Sequence, residues 1–97
     1  MIATYLIEFQ NFQEELCTSE LLKAHVLHLE TLYRQKKLLF CGPCEDGSAF
    51  FLFSVASKQE VIDLLSQDPF IIHSVYQLGS VKMIRLATPE NQFLLKK

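Results

Sequence analysis

The sequence predicts a single α+β domain with the element order β-α-β-β-α-β. Three observations carry this reading. Extended apolar runs alternate with two stretches of helical periodicity, and 97 residues suffice for one domain. Apolar side chains make up 49% of the chain, eight of them Phe, which is enough for a real core.

Residues 2–9 place Ala3, Tyr5, Ile7 and Phe9 on one face and Ile2, Thr4 and Leu6 on the other, the pattern of a strand with two apolar faces. Residues 10–18 are polar with isolated apolar side chains and read as a loop. Ser19 is a plausible N-cap for a helix that meets no Gly or Pro before Gly42. Leu22, Val26, Leu29 and Tyr33 build one stripe expected to be buried, with Leu21, His25, His28 and Leu32 beside it. Arg34, Lys36 and Lys37 then set cations at the helix C-terminus, where the macrodipole favours them.

Leu38 to Cys41 reads as the second strand, followed by a loop with turn chemistry at Asp46-Gly47. Ala49 to Val55 is almost continuously apolar and predicts a strand covered on both faces. Ser57-Lys58-Gln59-Glu60 is a capping box for a second helix with Val61, Leu64 and Leu65 inward. Pro69 disfavours helical geometry at Asp68 and is expected to close that helix. Val75 to Leu86 gives the last strand, interrupted near Gly79, and residues 87–97 form a tail whose Phe93, Leu94 and Leu95 are expected to dock.

This order is the ferredoxin-like split βαβ arrangement, with two helices on one face of a four-stranded antiparallel sheet. The other face would leave Ile2, Leu6, Phe50 and Leu52, or their neighbours, uncovered. Soluble monomers rarely expose so large an apolar patch, so a homodimer packed sheet to sheet is expected, with higher assembly left open.

Composition excludes several classes. A formal charge of −2 and a pI of about 5.9 make the chain a poor partner for nucleic acid or anionic lipid. No apolar run approaches the roughly 18–20 residues that span a bilayer. The first residues lack a positive n-region and reach a charge at Glu8, so they do not read as a signal peptide. Three cysteines, Cys17, Cys41 and Cys44, are an odd set that suits a reducing cytoplasm.

Leu22-Lys23-Ala24-His25-Val26, Leu38 to Gly42-Pro43, Gln67-Asp68-Pro69-Phe70, Val75-Tyr76 and Ser80-Val81-Lys82 together resemble the YCII-related proteins, over about residues 2–86. That family is similar to members of the dimeric α+β barrel superfamily, in which two ferredoxin-like protomers pack sheet against sheet. The resemblance implies a site made of the helix-one His and the Asp of the Asp-Pro turn, here His25 and Asp68. It also implies a pocket between helix and sheet and proton-transfer chemistry of lyase or isomerase type, with no cofactor. One departure is Leu22, where family members often carry an Arg. Anchoring of an anionic substrate at that position therefore does not carry over.

Read from the residues, a His whose tautomer a carboxylate fixes is a sound general base. The same two residues also suit a half-buried helix His and a turn-forming Asp, and one sequence leaves both readings open. The expected substrate pocket adds Tyr5, Gly42, Pro43 and Tyr76, the tyrosines serving either as cavity hydroxyls or as core. The reading that follows is an enzyme acting on a small organic molecule, with a non-catalytic ligand-binding or interaction module of the same fold as the alternative.

Cys41-Gly42-Pro43-Cys44 has the string of thioredoxin-like redox motifs. A strand rather than a helix follows it, so no helix dipole lowers the thiol pKa, and an incidental thiol pair is the plainer reading. His25 and His28, i and i+3 on the helix, could join these thiols on a metal only at no standard spacing, so no metal is expected. His73 reads as a pocket-rim or interface residue.

Overall fold

The chain is described as a computed structural model covering residues 2–95. Alternating side chains make strands of β1 (Ala3–Gln10) and β3 (Ala49–Val55), with β2 (Leu38–Pro43) and β4 (Gln77–Ile84) beside them. The helices are α1 (Ser19–Arg34), α2 (Lys58–Leu65) and the single turn α3 (Pro69–Ile72). The strand order is β2-β3-β1-β4 with every pairing antiparallel, which is the ferredoxin-like sheet.

Register decides which face is inside. Tyr5 lies opposite Phe53 and Ile7 opposite Phe51, so these four side chains share a face with Phe9 and Val55, and all six are buried. Leu32 of α1 and Val61, Leu64 and Leu65 of α2 complete the same core, so both long helices cover that face. On the opposite face Leu6 pairs with Leu52, and Leu52 pairs with Phe40. Leu6, Phe50 and Leu52 are half-buried and Phe40 is 67% exposed, so an apolar strip runs across the uncovered side. Glu8 and Lys82, 3.6 Å apart, interrupt it toward β4.

Several local expectations change. Thr18 rather than Ser19 caps α1, accepting from the Leu21 N–H at 3.2 Å. The helix is also rotated from the stripe predicted to be inside. His25 and Leu32 are buried and Leu21 and Leu29 pack on the core, whereas Leu22, Val26 and Tyr33 are exposed. The predicted stripe of Leu22, Val26, Leu29 and Tyr33 is the more apolar of the two, yet the stripe that carries His25 and Leu32 turns inward, where the imidazole meets Asp68.

Ser57 caps α2 through the Glu60 N–H, while the Glu60 carboxylate reaches back to the Ala56 N–H. Asp68 does more than close a helix. α2 ends at Leu65, and Asp68, extended at φ −75° and ψ 122° as a residue before proline favours, becomes the N-cap of α3. The interruption near Gly79 is a bulge, since Glu8 pairs with Ser80 and Phe9 with Leu78. A Cβ at Gly79 would stand 3.0 Å from the Glu8 carbonyl oxygen, so the close approach there requires glycine. Of the tail residues expected to dock, Leu94 is half-buried, but Phe93 and Leu95 are 66% and 85% exposed. Among the described residues no helix is long and apolar enough to cross a membrane.

Candidate active site

The site begins with the N-cap of α3. Asp68 is wholly buried, and its two oxygens accept three hydrogen bonds. Oδ1 takes the Phe70 backbone N–H at 2.9 Å, the ordinary Asx cap, and also His25 Nδ1–H at 2.7 Å. Oδ2 takes the Tyr76 hydroxyl at 3.1 Å. The pairing of His25 with Asp68 across 43 positions is thus a geometric fact. It arises because α1 passes α3, and Tyr76 lies just ahead of β4.

Aromatic packing fixes the imidazole plane. The His25 ring stacks on Phe70 with centroids 3.8 Å apart and planes 3° apart, and Tyr76 meets it edge-on at 6.0 Å. Phe9 stacks on Tyr76 at 4.2 Å and holds that ring in turn. Because Asp68 can only accept, Nδ1 must carry the hydrogen, and neutral His25 keeps Nε2 as a lone-pair acceptor. Among the described residues nothing bonds to Nε2.

His25 lines a cavity of about 470 Å³, within the range of small-molecule sites. Its apolar walls include Phe9, Phe12, Leu22, Leu29, Phe51 and Phe70, and Gly42, Pro43 and Tyr76 also line it. Tyr5 does not. It is 7% exposed within the core and pairs with Phe53 deeper under the helices, so its expected place at the pocket is corrected. His73 likewise leaves the rim, being exposed at the C-cap of α3 and no part of the cavity wall.

Phe12 and Cys17 are additions the sequence did not suggest. The Gln13 N–H donates to the Val75 carbonyl at 2.6 Å, which ties the β1–α1 loop beside Tyr76 and brings both residues to the cavity. The usable signal was an isolated Phe in a polar loop.

All three cysteines are free, and all three line this cavity. Cys44 sits in a turn that leads into β3, so no helix N-terminus faces the Cys41-Gly42-Pro43-Cys44 segment. Burial, and then the negative charge of Asp68, push the Cys41 thiol above its ordinary 9.0. That is the opposite of what an activated thiolate needs. Among the described residues no group of three His, Cys, Asp or Glu side chains is placed to hold a metal ion.

Tyr76 is displaced in the same sense. Burial, then the Asp68 charge and the hydrogen bond to it, raise the phenol well above its ordinary 10.0. A group raised in the folded state contributes stability that is complete below its unfolded value and lost as pH climbs past it. The fold should therefore weaken above about pH 10 as the Tyr76 phenol ionises in the unfolded chain, with at most a slight decline above about pH 9 from the exposed Cys41 thiol. Tyr76→Phe is expected to be less stable than wild type by about 1–2 kcal/mol at pH 7, because Asp68 loses a donor. It should also lack the steeper alkaline limb, so the two stability curves converge above pH 10. Urea unfolding at pH 7, 9 and 10.5 reads this directly, and parallel curves would refute it.

Fold and site together define a class, an α+β domain of ferredoxin-like topology with a His–Asp pair at an apolar cavity. A scan against known protein families finds no match, and no curated protein matches either. Among solved structures the chain is similar to 5-chloro-2-hydroxyhydroquinone dehydrochlorinase (TftG) from Burkholderia phenoliruptrix AC1100, determined in complex with 2,5-dihydroxybenzoquinone. The TM-score is 0.62 at 21% identity, over 86% of this chain and 92% of that one. A likeness at that identity establishes the shared fold.

Proposed function

We propose that the protein is an enzyme of lyase or isomerase type that moves a proton on a small organic substrate, with His25 as base and Asp68 as its partner. One observation carries this reading. His25 lines an apolar cavity while Asp68 holds its Nδ1, which leaves Nε2 without a partner among the described residues. Asp68 orients the ring and stabilises the imidazolium formed when Nε2 takes the proton, and the same nitrogen returns it to the leaving group or to a second carbon. The dehydrochlorinase of the same fold, solved with a quinone bound, supports a small organic substrate. The motif order from Leu22 to Lys82 supports membership of the YCII-related proteins, and free thiols suit a cytoplasmic setting.

Solvent deuterium incorporation tests the reading without knowledge of the net reaction. A panel of hydroxylated rings and lactones is incubated with protein in D2O and followed by NMR. Wild type should exchange a carbon-bound hydrogen of at least one member and His25→Asn should not. Equal exchange by both proteins defeats the proposal. A binding module remains the second reading, favoured by the structural work that Asp68 already does as the α3 cap. It predicts ligand binding with no exchange at all.

The uncovered sheet face is proposed to meet a second copy, with Leu6, Phe40, Phe50 and Leu52 at the centre. Light scattering after size exclusion should give a dimer for wild type at micromolar concentration. Leu52→Glu should weaken association by about a hundredfold or more, because the carboxylate would be buried without a partner. A monomeric wild type ends this proposal.

A further inference from the structure

We infer that the His25 cavity selects an uncharged ring compound bearing a hydroxyl or carbonyl group, and discriminates against carboxylates. This rests on the reading of that cavity as the ligand site. Its charge inventory carries the argument. Among the described lining residues there is no Lys and no Arg, and the only fixed charge is Glu45. Asp68 stands directly behind the imidazole.

A bound carboxylate would thus meet two like charges. The one group able to turn positive, His25, already gives its Nδ1–H to Asp68. The remaining donors around Asp68, the Phe70 N–H and the Tyr76 hydroxyl, are also spent on it and have none left for an anion. An ionised ligand here would lose water beside Asp68 and Glu45. With no Lys or Arg in the described lining, the Nε2–H of a protonated His25 would have to offset both charges.

An uncharged ring fits each of these features. Phe9, Phe12, Phe51 and Phe70 offer aromatic walls, and Nε2 accepts a single hydroxyl hydrogen. A carbonyl ligand is served once His25 is protonated. Leu22 decides the sign of the selectivity. It lies one turn before His25 on α1, lines the cavity and is 47% exposed, so a longer side chain there has room to extend over the mouth.

The test compares 4-hydroxybenzamide with 4-hydroxybenzoate, two ligands of nearly one shape that differ in charge. Binding is followed at pH 7.5 through NMR shifts of the His25 and Phe70 resonances. Wild type should prefer the amide by about tenfold or more, one decade being about 1.4 kcal/mol. Leu22→Arg should raise benzoate affinity until the preference disappears or reverses.

A wild-type protein that binds benzoate as well as the amide overturns the inference, and the deuterium exchange experiment still judges the proton-transfer reading separately. Shifts from neither ligand overturn the inference, and whether His25 moves protons in this cavity is still decided by the deuterium exchange of wild type against His25→Asn. Unchanged selectivity in Leu22→Arg overturns the role given to Leu22.

Discussion

Asp68→Ala is expected to destabilise the fold by about 3–5 kcal/mol, because each buried donor left without its acceptor costs about 1–3 kcal/mol. The substitution strips the α3 cap and leaves the His25 Nδ1–H, the Phe70 N–H and the Tyr76 hydroxyl without their acceptor in a wholly buried place. A domain of this size typically holds about 5–15 kcal/mol, so the midpoint of thermal unfolding should fall by roughly 15 °C or more. Asp68→Asn separates architecture from chemistry. Its Oδ1 can still accept from both N–H groups, and its amide can donate to the Tyr76 oxygen, so the loss should be only about 1–2 kcal/mol. It removes the negative charge, however, and with it the stabilisation of the imidazolium. Proton-transfer activity is then expected to fall by about 10²–10⁴-fold. An alanine variant within 1 kcal/mol of wild type would show that the network is not what holds this corner together.

The sheet was legible because period-two alternation leaves few choices. Alternation put Tyr5, Ile7 and Phe9 on one face of β1 but left open which apolar face turns inward, a choice that the packing of the helices makes. The bulge at Gly79 was marked by its glycine. The helix was less legible for a physical reason. The stripe of Leu22, Val26, Leu29 and Tyr33 is more apolar than that of Leu21, His25, His28 and Leu32, so hydrophobicity alone pointed to the wrong rotation of α1. The rotation is set by one polar contact, 43 residues distant in sequence, that spacing does not encode. The resemblance to the YCII-related proteins implied a partnership of His25 and Asp68, and in the fold the two stand 2.7 Å apart.

Tyr5 and Tyr76 are a matched pair in this respect. Both read as a phenol on an apolar segment, yet Tyr76 alone reaches the cavity, because it precedes β4 next to the Asp68 turn while Tyr5 lies within β1 under the helices. Phe12 escaped notice because the bond from Gln13 to Val75 that brings the loop to the cavity is between backbone groups, which side-chain pattern does not reveal.

His25→Asn should reduce deuterium exchange by about 10²–10⁴-fold, the usual loss when a positioned base is removed. Asparagine is chosen because its amide N–H can occupy the place of Nδ1 and keep a donor on Asp68, so the buried carboxylate is not orphaned. What disappears is the lone pair of Nε2 and part of the stack on Phe70. The stability loss should accordingly stay near 1 kcal/mol, well below that of Asp68→Ala. His25→Ala supplies the converse. It leaves a void beside Phe70 and Asp68 that free imidazole can enter, and millimolar imidazole should restore part of the exchange. If His25 only shapes a binding surface, both variants will change ligand affinity and imidazole will restore no chemistry. Rescue of rate rather than of binding is therefore the result that separates a base from a wall.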